Sequence, residues 1–440
     1  MMLRKMKTTT VVQNGKQSPE SVATRGAKLS RRSLSYNKIV MTVALVVAAQ
    51  MTVTAKDFVV GERTGAAIQN AVDAAAKAGG GRVVVPAGEY PTGSIRLRSH
   101  VDLHLEKGAR LLGATNSAAY FSFPDEVCAI HPENSTRVFV YAWDETDIAI
   151  TGEGVIDGRG HSFFDTTKRM WGHFFPKPPC ERPRMVQFVR CRGVRLEGVT
   201  FLNSPCWTML IRLCEDISAT GITVQADDRI INSDGIDFDG CRKVRVTKST
   251  FSTGDDCIVA RAIREPDGRK VVCEDILVTD CSLRSACQCV RMGCPSDDEI
   301  RNVTFRNVTL HGRIGVNFDY PARYLSHGDT GLMDVHDVLF ENVTGDLGYG
   351  PFVIAVEPGV RIRGVRNVTF RNVNVGCKKL AKGFVGNVHS KIENVRFENV
   401  TIAGERRPDG VVAADCTNAG PLVREDGSSW ETKKSKKKGK

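Results

Sequence analysis

The chain has 440 residues, 41% of them hydrophobic, with 41 Gly, 17 Pro and a formal charge of +11. That content is enough for a sizeable core, and the Gly and Pro imply frequent turns. The charge sits at the ends: residues 1–55 carry +8 and the last ten residues +5, leaving about −2 between them, which excludes nucleic acid as the main partner.

The basic lead ends at Lys38, followed by an apolar run over 39–49 and the small residues Val53, Thr54 and Ala55. This reads as a secretory signal cut after Ala55, with a run too short for a membrane span. Arg31-Arg32 resembles a twin-arginine export signal; a translation start nearer the apolar run is the alternative. The expected product is secreted or periplasmic, monomeric and without a membrane span. Its single domain covers 56–430, ahead of a Lys-rich disordered tail at 431–440.

Thr64 ahead of Ile68, Val72, Ala75 and Ala76 predicts a short capped helix, stopped by Gly79-Gly80-Gly81. Short strands are expected near 83–85, 95–97, 101–105, 109–112 and 138–141. From residue 194 one phrase recurs, at 194–201, 217–224, 244–251, 276–283, 303–310, 338–343, 368–375 and 395–402. Its apolar residues alternate as in strands, and a repeat of this length signals a solenoid in which each unit buries its face on the next. Cys214, Cys241 and Cys273 each stand three residues before the apolar position that opens a unit. Equivalent positions on stacked coils lie about 4.8 Å apart, so a buried ladder of free thiols is expected, with inter-coil disulfides as the rival. Asn302, Asn307, Asn342, Asn367 and Asn399 match a glycosylation pattern, but their fixed place in the repeat points to coil turns.

Asn232-Ser233-Asp234-Gly235 and Gly254-Asp255-Asp256-Cys257 place three carboxylates about one coil apart. Each pair alone is ordinary turn chemistry. Together the acids fit glycosidic hydrolysis, which takes one acid for the leaving oxygen and one base for water. In an ideal strand Asp255 and Asp256 would face opposite ways; Gly254 lets both face one groove. Crowding should raise at least one of their pKa values.

With Asn203-Ser204-Pro205-Cys206-Trp207 before them, these segments resemble the central coils of glycoside hydrolase family 28, the polygalacturonase family. The resemblance implies an all-β fold, a single-stranded right-handed parallel β-helix with a capping helix. It also implies an inverting hydrolase with Asp255 as general acid, Asp234 and Asp256 on the water, no cofactor, and a polysaccharide or oligosaccharide as substrate. Asn232, Arg261, Gln288, Arg291, Asn317 and Trp207 are the expected substrate contacts, Trp207 by stacking or else packed between coils. Three departures stand out. Where the family has Gly-His-Gly, counting back from Gly293 gives Cys287-Gln288-Cys289. Where it has Arg-x-Lys, this chain has Asn317-Phe318-Asp319, and Asp319 is expected to repel a uronate. Val360-Arg361-Ile362-Arg363 comes too late to replace that motif and reads as an outward strand face.

Cys287, Cys289 and Cys294 lack a nearby His and zinc spacing, so no metal is expected. Insertions at 161–184 and 320–336, the second with Tyr324 and His327, are expected to wall the cleft. The rival readings are a calcium-dependent polysaccharide lyase and a non-catalytic carbohydrate-binding solenoid.

Overall fold

Short strands with alternating apolar residues cannot bury their inner faces alone, and the chain solves this by coiling so that each strand pairs, in parallel, with its counterpart one turn later. The computed structural model describes residues 56–416, except 294, 328, 358, 380–383, 386–389 and 391. The expected export segment, the Lys-rich tail and Cys294 lie outside the described residues. Residues 56–416 fall within one unit. The repeat read from the sequence is the register itself: Val194, Ile217, Val244, Ile276, Val303, Val338, Val368 and Val395 each pair with the next in parallel. The fold is an all-β, right-handed parallel β-helix.

The helix Gly65–Lys77 lies at its start, and the Thr64 side chain accepts the Ala67 N–H at 3.1 Å. Ile68, Val72 and Ala75 are buried against the first strands, covering apolar residues that the open end would expose. Beyond the last coils the chain reverses, and Gly410–Cys416 pairs antiparallel with Ile392–Ile402. An antiparallel turn-back ends the run of parallel pairings.

The interior is built from repeated rungs. Phe305, Phe340 and Phe370 stack with ring centroids 5.1 and 5.2 Å apart. Cys214, Cys241 and Cys273 form the expected ladder and Cys191 extends it by one rung, all buried and unbridged. Burial pushes the Cys241 thiol well up and that of Cys273 to about 12. They pack as small hydrophobes.

The turns carry the second ladder. Asn302, Asn307, Asn342, Asn367, Asn372, Asn394 and Asn399 all have positive φ, a conformation that Asn tolerates better than other side-chain-bearing residues. The Asn342 amide donates to Asn307 Oδ1 at 2.9 Å and accepts from Asn372 at 3.2 Å, and Asn399 donates to Asn372 at 3.0 Å. Each amide thus satisfies its neighbour on the adjacent coil. The expected strand at 360–363 is instead a loop ahead of the strand Gly364–Cys377, although Arg361 and Arg363 do point outward while Val360 and Ile362 are buried.

Asn342→Val forces a β-branched residue into positive φ, whereas Asn342→Gly loses only the amide bonds. Urea unfolding should show the Val protein less stable than the Gly protein by about 1–3 kcal/mol; equal stabilities would contradict the turn assignment.

Candidate active site

The register that makes the fold also assembles the acids. Met209, Ile236, Ile258 and Val290 pair in succession. Two residues before Ile236, Ile258 and Val290 stand Asp234, Asp256 and Gln288, on successive rungs. One residue later than the pairing positions is the row Leu210, Asp237, Val259, Arg291 and Asn317. Asp255 precedes Asp256 in the break between the strands Thr250–Thr253 and Ile258–Arg261, which removes the alternation that would have split the two acids. Gly254 permits this by close approach: a Cβ there would lie 2.4 Å from the Ile230 carbonyl oxygen and 2.7 Å from Ser233 Oγ. The Gly254 N–H donates to that hydroxyl at 3.0 Å.

Asp234, Asp237 and Asp256 are buried, and each keeps one carboxylate oxygen without a hydrogen-bond partner. Two arginines compensate them. Arg261 donates through Nε and Nη2 to Asp237 Oδ1 at 3.0 and 2.7 Å, and its Nη2 is 3.8 Å from Asp234 Oδ2. Arg291 Nη1 donates to Asp256 Oδ2 at 3.2 Å, while Nε and Nη2 grip Asp319 at 2.9–3.2 Å. Burial still dominates: it pushes Asp256 up to about 8, Asp237 up to about 6, and Asp234 well above the usual carboxylate range. The expected crowding effect therefore falls on the buried acids, with desolvation ahead of mutual repulsion. Asp255 is half-buried and accepts the Asn232 N–H at 3.2 Å.

Several expected substrate contacts turn out to be supports. Trp207 is 4% exposed and packs with Cys206 and Leu210, with the Arg261 guanidinium 4.4 Å from its ring centroid. Its face is covered by that cation, so packing prevails over sugar stacking. Arg261 is buried beneath the acids, neither on the groove surface nor on a solvated coil edge. Asn232, at positive φ, is held through Oδ1 by Arg182 Nη2 at 3.0 Å. Gln288 and Asn317 are buried, each with an unpartnered carbonyl oxygen. Asp319 is not the free repelling charge expected of it, because Arg291 holds it through two nitrogens.

The offset is the same from Thr253–Ser285 to Ile258–Val290, so Cys287 falls opposite Asp255 and Gln288 opposite Asp256. The pairing of Ser282–Met292 with the next strand slips between Ser285 and Gln288. The thiol of Cys287 lies with the carboxylates of Asp255 and Asp256, all donor atoms within 4.8 Å of one another. Cys289 instead enters the core and donates to the His311 carbonyl at 3.1 Å. Burial, and then the two carboxylates, push the Cys287 thiol up. A protonated thiol is a poor metal ligand, and sulfur suits neither calcium nor magnesium, so the donor set does not favour the cation a lyase would use.

Residues that sequence reasoning missed are Arg182, Asp237 and Cys287. Asp237 had a signal, since the strand Ile236–Asp239 carries two acids facing Arg212 and Arg261 on neighbouring coils. Arg182 had none, because it arrives from the 161–184 insertion and spans coils, donating also to the carbonyls of Pro205 and Ile231 at 3.2 and 2.8 Å.

A profile of glycosyl hydrolases family 28 matches residues 79–265, which include all three acids. The central coils of the chain are similar to those of glycosyl hydrolases family 28. It is similar to a probable polygalacturonase of Vitis vinifera, 30% identical over 210 residues that make up 44% of this chain and 40% of the relative. An endo-polygalacturonase of Pectobacterium carotovorum subsp. carotovorum is 25% identical over 182 residues, 40% of this chain and 45% of the relative. The chain thus spans less than half the length of these curated relatives. Among solved structures, a hyperthermoactive exopolygalacturonase from Thermotoga maritima superposes with a TM-score of 0.62 at 21% identity, covering 83% of this chain and 95% of that one. That of Yersinia enterocolitica family 28 exopolygalacturonase gives 0.59 at 21% identity, covering 81% and 76%. These likenesses show that the chain shares their fold.

The raised pKa of Asp256 has a stability consequence with a definite sign. Its folded value of about 8 lies above the ordinary 3.8, so the unfolded chain releases a proton that the folded chain keeps, and stability falls as pH climbs from about 4 to about 8. Asp256→Asn should flatten that fall, seen as a smaller drop in Tm between about pH 5 and about pH 8.5. An unchanged drop would contradict the assignment.

Proposed function

We propose that the chain is an exported glycoside hydrolase that cleaves a pectin-like polysaccharide with inversion at the reacting carbon. The observation that carries this is the convergence of Asp234, Asp255 and Asp256, with unpartnered oxygens on the two buried acids. The match to glycosyl hydrolases family 28 and the polygalacturonase names of its relatives support the reaction class; the residue roles rest on the geometry and on the motif resemblance.

In this reading Asp255 is the general acid, because it alone of the triplet has exposed surface from which to reach a glycosidic oxygen. Asp234 and Asp256, on adjacent rungs, hold the water between their unpartnered oxygens. Their charges are coupled, so the pair titrates as a unit, and one ionised member accepts the water proton. As the C–O bond breaks, the proton of Asp255 passes to the leaving oxygen and the water oxygen bonds to the anomeric carbon from the opposite face. Arg261 and Arg291 position the acids. Cys287 takes no proton in this scheme; it packs beside Asp255 and Asp256.

Asp255→Asn should lower reducing-end release from de-esterified pectin by at least about a hundredfold while leaving the unfolding midpoint unchanged. Activity retained in the folded variant would remove Asp255 from the mechanism. No described helix is long and apolar enough to cross a membrane, and the leader at 1–55 supports export of a product that begins near residue 56.

A further inference from the structure

A groove of about 850 Å³ adjoins the acids and is lined by Trp171, Phe174, Ser285, Arg284 and Arg313 among others. Its position follows from the register: Ser252, Arg284 and His311 are successive rungs, as are Thr253, Ser285 and Gly312. Thr253 and Ser285 both donate their hydroxyls to the Asp255 carbonyl, at 2.6 and 2.7 Å, so the groove floor is bonded directly to the backbone of the proposed acid. Gly312, with φ of 130° and the Ser285 carbonyl oxygen 1.9 Å from where a Cβ would stand, keeps that floor open.

The groove's chemistry is unlike the rest of the surface. Trp171 is 78% exposed, held at positive φ and braced edge-to-face by Phe174 at 6.4 Å. Arg284 and Arg313 are exposed, and among the described residues neither is ion-paired to a carboxylate; Arg313 lies 5.9 Å from the Tyr349 ring centroid. Most other arginines of the coils are matched to acids on neighbouring rungs, as Arg301 is to Glu274 and Arg306 to Glu341. The acid on the rim, Asp228, lies 3.9 Å from His173 Nε2. A flat aromatic face beside two guanidinium groups free of carboxylates suits a ring that carries its own carboxylate.

We propose that this groove is a uronate subsite, in which Arg284 and Arg313 hold the sugar carboxylate and Trp171 stacks on the ring. It deepens the proposed function and rests on it. It also relocates the carboxylate grip, since Arg291, the cation beside Asp319, is committed to the acids. The 320–336 insertion serves elsewhere: Thr330 Oγ1 donates to Asp297 at 2.7 Å and the Ala322 N–H to Glu357 at 2.9 Å, and the His327 side chain lies outside the described residues.

The test is calorimetric binding of oligogalacturonate and of its fully methyl-esterified counterpart to Asp255→Asn protein, which prevents turnover. Adding Arg284→Ala with Arg313→Ala should weaken oligogalacturonate binding by about tenfold or more and leave the ester unchanged; adding Trp171→Ala should weaken both. All three residues are exposed, and an unchanged Tm verifies folding. The proposal is overturned if the double variant binds the acid form as tightly as its parent, if the parent prefers the ester, or if the parent binds neither. Binding is read whether or not any bond is cleaved, so a failure of the hydrolase reading, seen as no reducing ends released by the unsubstituted protein, is distinguishable from a failure of the subsite.

Discussion

Two guanidinium groups, Arg261 and Arg291, allow Asp234, Asp237, Asp256 and Asp319 to share neighbouring coils. Burying one unpaired carboxylate is costly enough that the group gives up its charge instead. Here each arginine bridges two acids, Arg261 joining Asp237 to Asp234 and Arg291 joining Asp319 to Asp256. The compensation is incomplete, which is why the buried acids still titrate high. A site that is partly neutralised in this way keeps both a proton and an acceptor near neutral pH, the condition that acid–base hydrolysis needs.

That electrostatic arrangement depends on the solenoid. A row of side chains on a parallel β-helix is a column in which neighbours are residues one coil apart, so a charge sequence along the column is set by turn length alone. The turn-forming Asn residues and the buried Cys rungs keep that register. A one-residue slip, as occurs between Ser285 and Gln288 against the following strand, changes which side chains share a column from that point on.

The periodicity made much of this legible. The register of eight units, the capping helix with its Thr64 cap, the thiol ladder and the turn role of Asn302 to Asn399 could all be read from spacing, because each follows from a local rule repeated many times. The three acids were legible as a group for the same reason. What stayed hidden involves single events. The thiol of Cys287 sits with the carboxylates of Asp255 and Asp256, although the expected contact was its neighbour Gln288. The burial of Trp207 depends on Arg261 lying across its face. Arg182 reaches Asn232 from an insertion with no repeat to place it. The meaning of Asp319 reversed for a related reason: a lone sequence position showed a repelling charge, while its partner Arg291 sits on the strand before it.

The uronate groove extends the same logic outward, with the cations beneath the acids serving the acids and the cations beside them left for substrate. The central claim is that Asp234, Asp255 and Asp256 act together on a water and a leaving oxygen from opposite sides of one sugar. Proton NMR of the first sugars released from de-esterified pectin tests it most directly. New reducing ends should appear with the anomeric configuration opposite to that of the bond cleaved; retention of configuration, or release of an unsaturated sugar, would contradict it.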